Sequence, residues 1–295
     1  MNFRYLKYNQ NWNIGFFSGT PDSLLKNKSV GVIQWMKHEY KDRWFADPFI
    51  YDVTDTEIIV FAEECEILNP LGRIVELILD KETKVLKHRY LLLSLNTHLS
   101  YPAFIKTDAG TIVYPENGKA GTLHMYDYDE DNHKLINPRK IMDAPVADAT
   151  IFQIGKKYMA VATKYPGTQQ GAYLYTSENA NTLFSSTDEI FNNDRSCSRP
   201  GGNIFQVNGK CYRPAQDCVA RYGAALSIME MELGADGSIS EKKVFTLSPK
   251  SFRYNLGLHT LNFHGTMGVV DGYGYYYPII GRILNVVRII KRLIR

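Results

Sequence analysis

Residues 46–64 read "ADPFIYDVTDTEIIVFAEE", and this stretch decides the fold. An aspartate precedes a proline, an apolar strand follows, and a short polar turn leads to a second apolar strand. The second strand ends in two glutamates. Two β-rich runs joined by a few polar residues are typical of a β-hairpin. This hairpin has carboxylates at both ends, and the same pattern returns further along the chain.

Four more segments share this arrangement, and they begin at Ser100, Ala147, Ser198 and Gly257. Successive segments start 54, 47, 51 and 59 residues apart, counted from Ala46. Self-similarity at such a period is typical of repeat architectures, and two strands plus about 30 further residues make one four-stranded blade. The sequence therefore predicts an all-β fold, a five-bladed β-propeller over residues 1–274. A β-sandwich is the alternative, but its strands recur about every 8–12 residues.

The composition sets limits on the function. The chain has 295 residues, of which 44% are hydrophobic and 22% charged, and its 20 tyrosines and 14 phenylalanines favour strands. A net charge of +3 is too small to indicate a nucleic-acid partner. The chain has neither a run of about 18 apolar residues nor an N-terminal secretory signal. The four cysteines fit no metal-ligand spacing. We therefore expect reduced thiols and a cytoplasmic protein.

Propeller geometry predicts where the polar residues meet. The innermost strand of each blade runs along the central axis, so the first residues of distant inner strands come together. We expect convergence at one rim of Asp47, Tyr101, Asp148, Arg199 and His259. Further polar residues close the second strands, either at the far end of each hairpin or back at the same pocket: Glu63, Glu64, Glu116, Lys164, Gln216 and Asp217.

A funnel lined by acids, arginines, histidines and tyrosines suits a sugar, because hydroxyls bind charged groups and sugar faces stack on rings. Chemistry at an anomeric centre uses a carboxylate on each side. Alternatively, each acid only accepts backbone N–H groups at a blade end. The predicted catalytic residues are Asp47, Asp148 and Glu116. The predicted substrate-binding residues are Glu64, His98, Tyr101, Arg199, Arg213, Gln216, Tyr222 and His259.

The arginines in this set suit an anionic group such as a phosphate, and salt bridges between blades are the alternative. No loop has a recognisable metal-ligand pattern. We therefore predict no metal site and no bound cofactor, and participation of a divalent cation stays open.

Residues 275–295 form a second predicted unit, a basic amphipathic helix. Apolar residues recur at spacings of three and four from Ile279 to Ile294, and the stretch contains no acidic residue. Such a helix is typical of an anchor at an anionic membrane surface. Packing on the propeller flank or against a partner subunit is the alternative. The predicted membrane contacts are Arg282, Ile283, Val287, Arg288, Ile290, Lys291 and Arg292.

Six motifs carry a family resemblance: "WFADPF", "HLSYP", "YPEN", "RPGG", "YRPAQD" and "HTLNF". They resemble the five-bladed propeller module at the N-terminus of plant glucosamine inositolphosphorylceramide transferases. The same module occurs in bacterial proteins of surface-polysaccharide loci. It is distantly similar to the family 43 arabinanases and xylosidases. The resemblance covers about residues 10–272 and implies a carbohydrate-active protein.

The likeness to family 43 implies roles for individual residues. In those enzymes, an aspartate at the first inner strand is the base, a second aspartate tunes its pKa, and a glutamate is the acid. Asp47 matches the first aspartate and Asp148 the second. The position expected for the acid reads "YRPAQD", with Gln216 and Asp217, so Glu116 is a candidate acid by chemistry alone. The plant module lies beside a separate transferase domain, so no activity follows from that likeness.

Three functions remain open. The first is a membrane-associated glycosyltransferase of bacterial surface-polysaccharide biosynthesis, peripheral on the inner face of the cell membrane. It would use a nucleotide sugar or a lipid-linked sugar as donor and a glycan or lipid-linked glycan as acceptor, with Asp47 as the base. The second is a glycoside hydrolase of the arabinanase or xylosidase type. The third is a non-catalytic glycan-binding propeller.

Overall fold

The computed structural model describes residues 10–166, 171–179, 182–234 and 238–293. Within these ranges, twenty strands form five four-stranded antiparallel sheets. Each sheet is one blade, and the prediction of a five-bladed β-propeller is confirmed. Period-two alternation explains the strands, because successive side chains point to opposite faces and each face packs on a neighbouring blade.

The described chain begins with β1 (Gln10–Ser18), helix α1 (Pro21–Asn27) and β2 (Gln34–Trp35). Blade 1 contains β3 (Arg43–Val53), β4 (Glu57–Glu66), β5 (Arg73–Asp80) and β6 (Leu86–Leu93). Blade 2 contains β7 (Ser100–Thr107), β8 (Gly110–Glu116), β9 (Leu123–Asp129) and β10 (Lys134–Met142). A short 3-10 helix, Gly118–Ala120, follows β8.

Blade 3 contains β11 (Val146–Ile154), β12 (Lys157–Lys164), β13 (Ala172–Ser177) and β14 (Ser185–Asn192). Blade 4 contains β15 (Phe205–Val207), β16 (Lys210–Asp217), β17 (Ala225–Leu233) and β18 (Ile239–Leu247). The chain continues with β19 (Leu261–His264), β20 (Met267–Tyr275) and helix α2 (Pro278–Leu293).

Blade 5 closes the ring by joining the two ends of the described chain. Its strand order is β19-β20-β1-β2, and β1 pairs with β20 from Gln10 opposite Tyr275 to Ser18 opposite Met267. The sequence pattern does not predict the part played by β1, because this strand lies outside the five repeated hairpins. The ring is thus closed within one sheet, to which both ends of the described chain contribute strands.

Apolar side chains on both faces of each sheet form the core between blades. In blade 1, Ile58 and Val60 on β4 pack in one buried cluster with Phe16 of blade 5. Phe61, the next residue after Val60 on β4, lies in another cluster with Val113 of blade 2. A sheet buried on both faces holds its inner strand rigidly, and this rigidity positions the residues at the axis.

Helix α2 leaves the propeller at the end of the axis where the inner strands begin. Strand β20 runs antiparallel to β19, so its last residues lie beside the segment that precedes β19. Strand β20 extends to Tyr275 and the helix begins at Pro278, whereas the predicted boundary falls between residues 274 and 275. In the part of the chain that the structure describes, no helix is both long enough and apolar enough to span a bilayer.

Candidate functional site

Three inner strands carry the same local distortion at their first residues. Asp47, Tyr101 and Asp148 have positive φ angles of 50°, 47° and 49°. The register with the second strand slips across each of them, as at a β-bulge. Residues other than glycine rarely adopt this conformation, which costs about 1–3 kcal/mol and clusters at functional sites. Bulges re-aim side chains, here toward the axis.

A carboxylate of the adjacent blade accepts the N–H of each bulged residue. The Asp47 N–H donates to Asp271 Oδ2 at 3.2 Å, and the Tyr101 N–H donates to Asp47 Oδ2 at 3.1 Å. The Asp148 N–H donates to Glu116 Oε2 at 3.2 Å. These acids therefore accept backbone N–H groups at the blade ends, which is the alternative to a catalytic role that the sequence analysis left open. Their electrostatic surroundings decide whether they can do more.

His259 lies between two carboxylates on one side of the axis. Its Nδ1 is 2.5 Å from Asp271 Oδ2 and 3.7 Å from Asp47 Oδ1, which also accepts a hydrogen bond from Thr260 Oγ1 at 2.7 Å. Burial raises the pKa of Asp47 to about 7; Glu63, Asp148 and Asp271 add to the rise, and His259 opposes it.

The pKa of the His259 imidazole is raised, although burial alone would lower it. Burial lowers its pKa, but the charges of Asp271 and Asp47 outweigh burial and raise the pKa to about 9. At neutral pH an imidazolium therefore lies beside the Asp47 carboxyl, whose own pKa allows it to take up or release a proton.

Arg199 and Asp148 form the other side of the group. Arg199 Nε binds Asp148 Oδ2, and its Nη2 lies 3.7 Å from Glu116 Oε2. Burial raises the pKa of Glu116 well above its ordinary value, with the charge of Asp148 adding to the rise and Arg199 opposing it. Burial and the charge of Asp148 thus favour the protonated form of Glu116.

Gln216 occupies the blade 4 position at which the resemblance to family 43 implies an acid. Its Nε2 donates to Asp148 Oδ2 at 2.7 Å and to the carbonyl of Pro200 at 2.8 Å. A side-chain amide binds the carboxylate in this way but supplies no acidic proton. The structure thus gives Gln216 a place in the axial group without the role of a general acid.

Aromatic rings surround His259. The ring of Trp12 stacks on the imidazole with centroids 3.9 Å apart, and Tyr222 meets it edge to face at 5.4 Å. The guanidinium of Arg199 lies 5.0 Å from the centre of the Tyr222 ring. Tyr101 is buried, and its hydroxyl accepts the Gly202 N–H at 2.7 Å, so this side chain links blade 2 to blade 4.

Two residues predicted to bind substrate lie elsewhere. Glu64 binds Arg43 Nη1 at 2.9 Å, Arg73 Nη2 at 2.9 Å and Arg89 Nε at 2.7 Å, all within blade 1. Neighbouring residues of a strand face opposite ways. Glu63 accordingly contacts His98 Nε2 at 3.0 Å, while Glu64 faces the arginines. The structure brings His98 to the rim and does not bring Glu64 to the axial group.

Arg213 is the second of these residues. It is fully buried and binds both carboxylate oxygens of Glu241 across blade 4, at 2.6 and 2.7 Å. Its Nη groups also donate to the carbonyls of Cys197 and Ser198. Arg213 therefore fixes the segment that leads to Arg199, and its charge is taken up by Glu241.

The pattern of repeats missed three members of the group, Asp271, Thr260 and Trp12. Asp271 could have been identified from the sequence, because it is a lone acid in "VVDG", within an otherwise apolar strand. It is fully buried and accepts the N–H groups of His259 and Thr260 at 2.9 and 3.1 Å. No sequence feature identified Trp12, because it belongs to strand β1, which the repeats did not predict.

Asp47, His259 and Asp271 also present ligand atoms that lie within 4.8 Å of one another, a spacing that could hold a metal ion. Every carboxylate oxygen of this trio already accepts a hydrogen bond from the protein. A cation would have to share the carboxylate oxygens with these bonds and to displace the imidazolium. The donor set therefore fits a proton-sharing network better than a metal centre.

The predicted membrane contacts lie on helix α2. Ile283, Val287 and Ile290 are exposed. Arg282 packs on the Phe252 ring at 4.4 Å and donates to the Phe252 carbonyl at 2.9 Å, so it ties the helix to the propeller. The side chains of Arg288, Lys291 and Arg292 lie outside the described residues.

Solved structures share this architecture. A thermostable family-43 glycoside hydrolase matches with a TM-score of 0.53 and 11% identity, covering 70% of this chain and 77% of that one. A β-xylosidase matches with a TM-score of 0.52 and 13% identity, covering 67% and 73%. A family-43 enzyme from Xanthomonas citri matches with a TM-score of 0.51 and 12% identity, covering 70% and 74%. The chain is thus a five-bladed β-propeller of the family-43 glycosidase type.

The family can be stated more narrowly. The family model described as "Glucosamine inositolphosphorylceramide transferase 1, N-terminal" matches residues 10–254. The chain belongs to this family, which confirms the predicted resemblance.

The curated relatives are longer than this chain. Glucosamine inositolphosphorylceramide transferase 1 of Oryza sativa subsp. indica is 27% identical over an alignment of 203 residues, and the match covers 65% of this chain and 27% of that protein. The protein of the same name from Arabidopsis thaliana is 23% identical over an alignment of 247 residues, and the match covers 75% of this chain and 32% of that protein. The match thus spans about a quarter to a third of each relative. Family and fold together support a carbohydrate-active protein.

Proposed function

We propose that the protein is a membrane-associated glycosyltransferase that acts on a lipid-linked glycan, in bacterial surface-polysaccharide biosynthesis at the inner face of the cell membrane. The observation that carries this proposal is the buried position of the Asp47 carboxyl at the axis, 3.7 Å from His259, where burial raises its pKa to about 7. A base works best when its pKa is close to the operating pH. The carboxyl can therefore take the proton of an acceptor hydroxyl at neutral pH.

The axial group supplies the other needs of an inverting transfer. Such a transfer uses one base and positive charge near a leaving phosphate, and an activated phosphate departs without a general acid. Asp47 is the base, and the imidazolium of His259 and the guanidinium of Arg199 are the nearby positive groups. The amide of Gln216, at the position where a glycosidase needs an acid, is compatible with transfer from an activated donor.

Helix α2 supports the membrane location. Ile279, Ile283 and Val286 are exposed by 68%, 59% and 55%. The helix sequence "PIIGRILNVVRIIKRL" contains four basic residues and no acid. Anionic lipid attracts each basic residue near its surface by roughly 1 kcal/mol, and burial of the apolar side chains adds to this.

The names of the plant relatives support an acceptor anchored in a membrane. They are called glucosamine inositolphosphorylceramide transferases, a name that joins a sugar to a ceramide lipid. The donor we propose is a nucleotide sugar or a lipid-linked sugar.

A transfer assay tests the proposed reaction. The purified protein is incubated with a panel of nucleotide sugars and lipid-linked acceptors in vesicles, and products are identified by mass spectrometry. We expect a glycosylated lipid from the wild type and from Asp52→Asn, a matched control on the same strand, and none from Asp47→Asn. Absence of product across the panel, with no nucleotide-sugar binding by calorimetry, would contradict the proposal.

A vesicle assay tests the membrane location separately. The double variant Ile283→Asp and Val287→Asp should lose sedimentation with anionic vesicles, because both side chains are exposed on α2. Val32→Asp, at a residue that is 86% exposed on the propeller, is the control and should sediment as the wild type does. Equal sedimentation of all three proteins would remove the anchoring role of the helix.

Glycoside hydrolysis is the second candidate, and the raised pKa of Glu116 favours it. A protonated glutamate beside Asp148 could act as general acid opposite Asp47 as base. Under this function the protein hydrolyses arabino- or xylo-oligosaccharides, whose alcohol leaving groups need protonation, and both Glu116→Gln and Asp47→Asn abolish the release of free sugar. Release that persists in Glu116→Gln would exclude Glu116 as the acid.

A further inference from the structure

We propose that a cleft beside the axial group binds the phosphorylated sugar headgroup of a membrane lipid. This inference rests on the proposed function, since it names the site at which the lipid-linked acceptor is held. The cleft lies between blades 4 and 5 and encloses about 480 Å³. Binding sites for small molecules commonly have volumes of this order.

The walls of the cleft suit a sugar ring. Trp12, Tyr222 and Tyr273 line it, and Tyr222 is 41% exposed. The amides of Gln10 and Asn285 lie at its edges. Aromatic faces stack on the apolar face of a sugar, and side-chain amides both donate to and accept from hydroxyls.

The cleft is separated from the proposed base by one side chain. His259 lies 3.7 Å from Asp47 on one side, and it contacts Trp12 and Tyr222 on the other. A ring seated on Tyr222 therefore lies one side chain, that of His259, away from the proposed base.

The charge of the cleft suits a phosphate. Arg221 lines the cleft and is exposed, and its Nη1 donates to the Leu256 carbonyl at 2.8 Å. Within the described residues, Arg221 has no carboxylate partner and no acidic side chain lines the cleft. A guanidinium that keeps free N–H donors binds phosphate oxygens in pairs.

The position of the cleft favours a lipid as the source of the phosphate. Asn285, which lines the cleft, belongs to helix α2, and the neighbouring Ile283, Val286 and Val287 are exposed apolar residues of that helix. If α2 lies in the membrane surface, the cleft opens at the level of the lipid headgroups. A headgroup can then enter while its acyl chains stay in the bilayer.

Calorimetric binding of soluble probes tests the site without membrane or turnover. The probes are myo-inositol 1-phosphate and glucose 1-phosphate, compared with glucose and inorganic phosphate. We expect both phosphosugars to bind at least about tenfold more tightly than either fragment, and Arg221→Gln to remove about tenfold of that affinity. Arg253→Gln is the matched control, because Arg253 lies at the same end of the propeller but does not line the cleft.

Several results would overturn the inference. They are equal affinity for inorganic phosphate and the phosphosugars, equal losses in Arg221→Gln and Arg253→Gln, and no binding of either phosphosugar. A fourth is tighter binding of UDP-glucose that depends on Arg221, which would make the cleft a donor site. Asp47→Asn should bind the probes normally, so loss of transfer and loss of cleft binding are separate outcomes.

Vesicles then test the lipid source. The wild type should bind phosphatidylcholine vesicles doped with phosphatidylinositol more tightly than those doped with an equal amount of phosphatidylglycerol. The two dopants carry the same charge, and only the first has a ring in its headgroup. Arg221→Gln should bind both equally. A wild type without this preference would contradict a lipid headgroup as the ligand.

Discussion

Asp47 at the axis and Glu64 in blade 1 are both buried acids, yet their surroundings move their pKa values in opposite directions. Burial raises the pKa of Asp47 to about 7. Burial would raise that of Glu64 too, but hydrogen bonds from Arg89 and Arg43 and their charges hold it below its ordinary value. Burial alone therefore does not separate a chemical role from a structural one; the balance of neighbouring charges does.

The difference follows from the origin of the partners. The three arginines around Glu64 come from strands of one sheet, where cross-strand register brings them together. The neighbours of Asp47 come from several blades and include the acids Asp148 and Asp271. A propeller axis crowds like charges that no single sheet would tolerate, and this crowding produces groups that titrate near neutrality.

The largest expected effect separates the two acids by activity. Asp47→Asn should lower the rate of sugar transfer by about 10²- to 10⁴-fold, the usual contribution of a general base. Glu64→Gln should leave the rate per folded molecule within about twofold, because the blade 1 arginines lie away from the axial group. Rates are compared after correction for the folded fraction measured by circular dichroism. Equal losses of transfer rate in the two variants would contradict the assignment of a chemical role to Asp47 and a structural role to Glu64.

The next prediction concerns stability, and here Glu64 rather than Asp47 is the residue with the large effect. Glu64→Gln should lower the free energy of unfolding by about 3 kcal/mol, because it removes a fully buried carboxylate that three half-buried arginines share. Arg43 and Arg73 keep Asp42 and Glu66 as partners, whereas Arg89 has no other carboxylate partner among the described residues. Denaturation by urea measures this. A change below about 1 kcal/mol, the typical worth of an exposed pair, would show that the cluster is not structural.

The same cluster has a pH signature. The folded pKa of Glu64 is lowered, so its contribution to stability is present above the ordinary glutamate pKa, about 4.3, and is lost as the pH falls through the folded value. Glu64→Gln should therefore show a smaller fall in Tm than the wild type on acidification. Parallel curves would contradict this assignment.

A fourth prediction tests the charges around Asp47 at the axis. The wild-type rate should rise with pH through about 7, since Asp47 works when deprotonated. His259→Gln removes a positive charge 3.7 Å from Asp47 Oδ1 and leaves Asp271 unpaired. Both changes raise the pKa of Asp47, so the acidic limb of the pH–rate profile should move up by about one unit. An unchanged or downward-shifted limb would exclude this pairing.

The smallest expected effect is that of a double variant that removes Arg213 and Glu241 together, a second buried pair confined to one blade. The double variant Arg213→Met and Glu241→Leu should change the free energy of unfolding by no more than about 1 kcal/mol, whereas Arg213→Met alone should cost about 3 kcal/mol or more. Urea denaturation of the three proteins measures the difference. A double variant as unstable as the single one would show that the bonds to the Cys197 and Ser198 carbonyls matter more than the charge.

Much of the fold could be predicted because hairpins of period two recur about every 50 residues. The same period placed Asp47, Tyr101, Asp148, Arg199 and His259 at equivalent positions. The period could not predict which of two adjacent residues faces the axis. Glu63 and Glu64 are adjacent, and only strand pairing shows that Glu64 faces the arginines of its own blade.

Two further features depend on contacts between distant parts of the chain. Trp12 reaches His259 only because β1 completes blade 5, and no local pattern marks β1 as the partner of β20. Asp271 was visible as an acid within an apolar strand, but its role depends on the bulge at Asp47, which is 224 residues away. Local propensity cannot reveal such pairings.

The pKa of the Asp47 carboxyl is the most direct test of the account, and it can be measured without knowing the substrate. Protein labelled with ¹³C at the aspartate carboxyl carbons is titrated by NMR, and the Asp47 resonance is identified by its absence from Asp47→Asn. The account predicts that this resonance titrates near pH 7. Titration near pH 4, the value of an ordinary aspartate, would contradict the proposal that the propeller axis prepares Asp47 as a base.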